Sequence, residues 1–485
     1  MEARRAGNRR LLAVERPPVS RAGVRSALAG AARGVLHGLG LDRAIAWTVA
    51  ARAASILGST GTVLLIVHFL NPAEQGYYYT LLSLVNLQIV FELGFSFVIQ
   101  QFAAHESVRL TLHPDGSIDG DSAAHDRLAL ILRKTVQWYL VAALLMGVTL
   151  LPLGIVFFSR AHPSGHAVAW QWPLDLTILA CVLAFALDPL LSFLDGCGQV
   201  RQVAFVRFAQ ALAAIVAAWT ALATHHGLYS PGLVILSVAL VGVAFLWTRR
   251  RLLLGLLLHP APPHAISWRR EIWSFQWKIA VSWLCSYFTV QIFTPILFLS
   301  RGPAEAGRMG MSLSITGYLW GLVLAWMSTK ATPFGRMIAC GDFARLDRLF
   351  FRTLRQSLAV LAALALACMA GVLALPHLWP RLAGRMVSPA GFAFLLPAAL
   401  GAFVIQSEAI YLRAHQYEPF LWQSIAVAVL TLCGVSLAAP RWGAVGAAAT
   451  YFACTGVIGL VSATVIFRGR RRMQLARAET VACSS

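Results

Sequence analysis

The sequence predicts an all-α polytopic membrane protein with about twelve transmembrane helices in two sets of six. Three observations carry this expectation. Of 485 residues, 58% are hydrophobic and only 12% are charged, about half the charged share of an ordinary soluble chain. The apolar residues gather in runs of about 20, the length at which a helix crosses a hydrocarbon layer. The basic residues stand in blocks between those runs, which is how orientation in a membrane is written.

The formal net charge of +20 is explained by those topology blocks, so no nucleic-acid partner is expected. Eight cysteines are scattered, without CxxC or metal spacing. Most fall inside apolar runs, where cysteine behaves as a small hydrophobe. No Gly-rich nucleotide loop is present, which argues against a built-in ATPase.

Taken in order, residues 1–44 are Arg-rich and read as a basic cytoplasmic arm. They lack the compact apolar core and cleavage site of a secretory signal. The first six spans are expected near 45–70, 78–102, 135–158, 173–194, 202–224 and 230–248, making an N-terminal lobe over 45–248. Between the second and third lies a polar, turn-rich insertion, HPDGSIDGDSAAHD. An amphipathic segment, RLALILRK, follows it and is expected at the interface. Residues 249–273 are rich in Arg and Pro and read as a cytoplasmic linker with a short surface helix. The second lobe covers 274–466, with spans near 274–299, 309–329, 356–379, 389–412, 418–438 and 442–466. A basic tail, 467–485, closes the chain.

The charge bias orients this count. The sixth and eighth connections and the C-terminal tail are the most basic, which places both termini in the cytoplasm. Aromatic residues mark span edges, with Tyr77, Tyr78, Tyr79, Trp170, Trp172, Trp379 and Trp442 on one side and Trp247, Trp268 and Trp273 on the other.

Charges inside apolar spans are costly and face protein or water. Arg52 lies about 10 Å into the first span and Glu92 about 15 Å from the inner end of the second. At those depths the two could form an ion pair between antiparallel neighbours. Alternatively Arg52 lines a central cavity and Glu92 tunes it or takes a proton. Arg207 and Lys278 are shallower and either snorkel to the interface or line an inward-facing mouth. Glu408 is placed similarly, within reach of Arg413. Asp188 precedes Pro189, where a carboxylate beside a helix break meets freed backbone groups or a small cation, or serves as a structural cap. Pro295 and Pro397 are expected kinks.

The segment FLNPAEQGYYYTLLSLVNLQIVFELGFSFVIQQFAAH resembles the first loop and second helix of bacterial polysaccharide exporters. Leu70-Asn71-Pro72 matches the turn, Glu74 the acidic position, Gly76 with Tyr77 and Tyr78 the Gly–aromatic element, and Glu92-Leu93-Gly94 the acidic-Leu-Gly element. STKATPFGRMIACGDFARLDRLFFRTLRQ resembles the exit of the eighth span in the same family, which belongs to the multidrug/oligosaccharidyl-lipid/polysaccharide exporter superfamily. The resemblance covers roughly 45–466.

It implies two six-helix bundles around a central V-shaped cavity in a bacterial cytoplasmic (inner) membrane. It further implies a flippase that moves a lipid-linked oligosaccharide or polysaccharide repeat unit to the outer leaflet by alternating access. The substrate would be an anionic glycan on a lipid carrier. Arg52 would sit where the family places cavity cations. Membrane lipids and polysaccharide polymerase machinery are the implied partners. No catalytic residue and no cofactor are expected; H+ or Na+ could couple transport, with Glu92 the leading candidate. The alternative is a cation-coupled multidrug or metabolite antiporter of the same superfamily. A membrane polymerase or glycosyltransferase would carry large catalytic outer loops, and these are short here.

Overall fold

In the computed structural model, the described residues are 43–113, 117–160, 168–260, 274–339, 341–415 and 420–484. The expected arm, up to residue 42, and the linker from 261 to 273 lie outside them. Among the described residues, nine helices are long and apolar enough to cross a membrane. The chain is a multi-pass, overwhelmingly α-helical protein.

The first helix, α1 (Arg43–Phe69), fills its expected span. It ends at a capped turn. The Asn71 side chain accepts from the Glu74 amide and the Glu74 carboxylate accepts from the Asn71 amide. This reciprocal box satisfies two orphan donors and starts α2 (Pro72–Val85).

The second span is not the continuous helix expected over 78–102. It is divided into α2, a short 3-10 turn, α3 (Ile89–Glu92) and α4 (Phe95–Ser107). Leu93 and Gly94 both adopt left-handed backbone angles, φ 51° and 70°, and two such residues in succession end a right-handed helix.

The polar insertion folds as a small antiparallel hairpin, β1 (Leu110–Leu112) on β2 (Ile118–Gly120), a minor exception to the all-α expectation. RLALILRK is not a separate helix but part of a single 38-residue helix, α5 (Ser122–Ser159), about 57 Å long at 1.5 Å per residue.

Three helices complete the first half of the chain: α6 (Gln171–Gly196), α7 (Val200–Ala223) and α8 (Ser230–Thr248). The expected surface helix is α9 (Arg250–Leu258), which buries Leu252, Leu253 and Leu256 and packs on α5. Arg133 of α5 fixes its end by donating to the Leu257 and His259 carbonyls at 3.0 and 2.7 Å.

The second half begins with α10 (Ser274–Val290) and α11 (Phe293–Arg301), separated at Gln291–Ile292. Pro295 sits in the first turn of α11 and returns no N–H to the Gln291 carbonyl, so the expected kink is a break. Next come α12 (Pro303–Ser328), α13 (Ala331–Ala339), α14 (Phe343–Leu378), α15 (Pro380–Ala383) and α16 (Pro389–Ala414). Pro397 stands inside an unbroken α16. In α17 (Leu421–Tyr451) Gly443 turns the chain at φ 60°, ψ −146°, angles open to glycine alone. A π-helical stretch, Phe452–Gly459, leads into α18 (Leu460–Ser484).

Most packing stays within each half. α1 lies along α7, α8 packs on α6 and α7, and α6 also holds α4 and α5; in the second half α10 and α11 pack on α17, and α16 packs on α12, α14 and α17. The principal seam between halves is α2 against α12, joined by α2–α11 and α3–α10 contacts. One side of the molecule, here the distal face, carries Leu70, Arg301, Arg385 and Arg441. The opposite linker face carries α9 and the start of α14.

Tyr77, Tyr78 and Tyr79 do not form an interfacial girdle. All three are buried, because α2 is wedged into the seam. Tyr77 stacks on Phe158 and meets Phe298 edge-on, with centroids at 5.2 and 4.9 Å. Trp172, Trp247 and Trp442 are exposed as span-edge aromatics should be.

Candidate functional site

The break at Glu92–Gly94 opens the first half of the chain to a cavity of about 300 Å³. Glu92, Ser96, Tyr139, Asp188 and Gln210 line it. Arg207 Nη1 meets Asp188 Oδ1 at 2.6 Å, and both side chains keep about two fifths of their surface exposed. The same nitrogen lies 3.3 Å from Gln210 Oε1. Gln210 in turn donates to the Val238 carbonyl at 3.0 Å. Glu92 lies beside Ser96 and within electrostatic reach of Asp188 and Arg207. Ser96 Oγ and Tyr139 OH are 3.1 Å apart.

Three of the six residues singled out in the sequence therefore come together: Glu92 and Asp188 line the cavity, and Arg207 pairs with Asp188 beside it. The arrangement is two carboxylates and one guanidinium at a mostly apolar gap between helices. It can hold a proton or a small cation, with Arg207 fixed against one carboxylate while Glu92 stays close to both. Asp188 does not cap a helix break, because α6 runs unbroken through Pro189; its side chain reaches α7 instead.

An Arg52–Glu92 ion pair is not among the ion pairs of the described residues, because α1 packs on α7 rather than on α3 or α4. Trp47 meets Phe205 with centroids at 5.0 Å, and Trp219 Nε1 donates to Thr62 Oγ1 at 3.2 Å. Arg52 itself is exposed. Helical periodicity nevertheless puts it on the same side of α1 as Val63 and Ile66, both buried. The covered side of α1 thus becomes uncovered on passing from the distal end towards Arg52.

Glu408 is buried on α16, beside Thr464 and Arg468 of α18, and its Oε2 has no hydrogen-bond partner among the described residues. It does not line the Glu92 cavity. Lys278 lies on α10, but its side chain is outside the described residues. No cluster of His, Cys, Asp and Glu suited to a metal ion occurs among the described residues.

The sequence reading missed the distal seam. Gln75, almost fully buried, donates from Nε2 to the Gly307 carbonyl at 2.9 Å and the Arg385 carbonyl at 3.0 Å. Arg385 donates to the Leu70 carbonyl and to Gln75 Oε1. Burial pulls the Arg385 guanidinium below its ordinary pKa, and Glu74 opposes the shift. A Cβ on Gly76 would overlap the Pro303 carbonyl, so α2 and α12 touch backbone to backbone there. The Gly307-x-x-Gly310 spacing was the available signal, since small residues one turn apart let helices approach closely.

No protein-family model and no curated protein matches the sequence. Solved structures do match. One is the lipid II flippase MurJ in an inward closed conformation, with TM-score 0.60, 10% identity, and 91% of this chain and 93% of that chain covered. Another is a MOP-superfamily transporter from Pyrococcus furiosus, with TM-score 0.57, 11% identity, and 90% and 97% covered. A third is a mutant form of the Vibrio cholerae MATE transporter VcmN, with TM-score 0.55, 12% identity, and 89% and 97% covered. At these identities the likeness is one of fold, and over nine-tenths of its length the chain has the fold of the MOP-superfamily transporters.

Proposed function

We propose that the chain is a flippase of a bacterial inner membrane. It carries a lipid-linked oligosaccharide or polysaccharide repeat unit from the cytoplasmic to the outer leaflet by alternating access between two six-helix bundles. On this reading the chain crosses twelve times. The breaks at Leu93–Gly94 and Gln291–Ile292 each interrupt one crossing, and Gly443 turns the chain back between the eleventh and the twelfth. The linker face is cytoplasmic and both termini lie there, because it collects the Arg-rich connections around residues 249–251 and 345–355.

The asymmetry of α1 carries the reading. Its inward side is covered at Ile66, towards the α2–α12 seam, and uncovered at Arg52. A gap closed outside and open inside would present such a surface. In that gap Arg52 would meet an anionic head group as it enters, while the lipid tail stays in the bilayer. No bond is made or broken, so the work is binding and exchange of shape. The Glu92–Asp188–Arg207 cluster is the candidate seat for a coupling H+ or Na+. A polysaccharide polymerase is the expected recipient on the outer side.

A second reading, a cation-coupled multidrug or metabolite antiporter, is favoured by the pair of carboxylates at one cavity and by the MATE likeness. Deletion of the gene separates the two. The flippase reading expects lipid-linked oligosaccharide to build up on the cytoplasmic side and surface glycan to disappear, both restored by the intact gene. Normal surface glycan with raised drug sensitivity would replace it by the antiporter reading.

A further inference from the structure

A second cavity, of about 380 Å³, lies on the distal face, away from the Glu92 cluster. Arg301, Arg308 and Arg441 line it, with one carboxylate, Glu305. Arg301 is held against the turn before Gly443, donating from Nε to the Ala439 carbonyl at 3.4 Å and from Nη2 to the Arg441 carbonyl at 2.6 Å. Those bonds orient the guanidinium without neutralising it. Arg308 donates to the Gly384 carbonyl at 3.2 Å and to Glu305 Oε1 at 3.1 Å. The other carboxylate oxygen, Oε2, accepts from the Ala444 amide at 3.3 Å.

The carboxylate is therefore committed on both oxygens, one to an arginine and one to a helix start. The Arg441 side chain enters no ion pair among the described residues. Three guanidiniums face one carboxylate, which leaves the pocket with a positive excess. Two further groups widen its chemistry. Ser388 caps no helix nitrogen with its hydroxyl, and the Trp442 ring beside it is largely exposed. Guanidinium forks match phosphate oxygens in geometry as well as charge. An exposed indole offers a flat apolar surface for the C–H face of a sugar.

We propose that this distal pocket is a phosphate-binding site that takes the phosphate of a sugar-phosphate head group, with Arg441 and Arg301 on the phosphate and Trp442 on the adjoining sugar. The identity of the occupant rests on the flippase reading; the phosphate chemistry does not. On that reading the pocket is a landing site on the exit side, reached after the head group leaves Arg52.

The test is titration of the purified full-length protein with inorganic pyrophosphate, by calorimetry in uncharged detergent. An Arg52→Ala background keeps the central cation from contributing. Saturable binding is expected, weakened about tenfold by Arg441→Ala, the worth of one charge-assisted contact, and largely restored by Arg441→Lys. The melting temperature should hold in both variants, because the Arg441 side chain makes no hydrogen bond or ion pair among the described residues. Absent binding, or identical titrations with and without Arg441, overturns the site. Repeating the titration in nanodiscs identifies the source of the phosphate. Equal affinity in phosphatidylcholine and phosphatidylglycerol supports the head group. Competition by phosphatidylglycerol overturns that assignment in favour of a leaflet lipid. Failure here leaves the flippase reading standing, since that is judged by glycan crossing the membrane. Intact pyrophosphate binding in a protein that moves no glycan would do the reverse.

Discussion

Gln75 and Arg385 exchange hydrogen bonds across the seam between the two halves of the chain. Gln75 Nε2 donates to the Arg385 carbonyl at 3.0 Å while Arg385 Nη1 reaches Gln75 Oε1 at 3.5 Å. Gln75 is 1% exposed, so these bonds are made away from water. A Gln75→Leu variant would strand the Arg385 carbonyl in the seam, at about 1–3 kcal/mol for a buried group left unpaired, while the Gly307 carbonyl keeps its partner within α12. An opened seam would hydrate the Arg385 carbonyl, so the penalty falls on the closed form alone. The open population should therefore rise at least about fivefold. Spin labels at Trp172→Cys and Trp379→Cys, one on each half, would report it as a longer distance component. An unchanged distribution would show that the pair is not a latch.

The glycines of the seam should be as sensitive as the polar pair. A Cβ on Gly310 would stand 2.5 Å from both Cβ and Cγ of Tyr79, and a buried tyrosine has little room to yield. Gly310→Val is expected to cost about 1–3 kcal/mol through overpacking, read as a lower melting temperature, and to lengthen the distance between the same two spin labels. Gly317, with nothing near its Cβ position, is the control: Gly317→Ala should leave both measurements unchanged.

Within the first half, Arg207 and Asp188 form a partly exposed pair at 2.6 Å, beside Glu92. Arg207→Ala leaves two carboxylates facing each other, and transport in proteoliposomes should fall at least about tenfold. Adding Asp188→Asn removes one of the two negative charges and should recover part of the loss, the non-additivity expected of partners in one network. Glu92→Gln should lower transport and flatten its dependence on pH or sodium. Strict additivity of the first two changes, with an unaltered gradient response in the third, would disconnect the cluster from coupling.

Much of the fold could be read from hydropathy, because apolar length and basic connections are set by the bilayer rather than by partners. The Asn71–Glu74 turn was visible as a short motif and is a capping box in the structure. Interruptions inside spans were harder to read. Leu93–Gly94 and Gln291–Ile292 sit in runs whose average hydropathy hides a local break, and only Pro295 gave a local signal. Glu92, Asp188 and Arg207 were each visible as charges in apolar surroundings. Their meeting was not, since it depends on α6 and α7 presenting facing sides to the break after α3. The Tyr77–Tyr79 run misled for a related reason. A cluster of tyrosines at a span edge reads as an interfacial belt, and only the position of α2 in the seam makes it core.

Arg52 supplies the sharpest test of the transport reading. It shares a helix face with Val63 and Ile66, which are 8% and 1% exposed, yet it is itself uncovered. If that surface borders lipid, the guanidinium would snorkel, and Arg52→Ala would cost little. If it borders a water-filled gap, the cation is there to meet an anionic head group. Arg52→Ala should then abolish glycan export at normal protein level, and Arg52→Lys should keep part of it, because lysine supplies charge without the planar fork. Quantitative export by a well-expressed Arg52→Ala protein would take the cation out of the pathway.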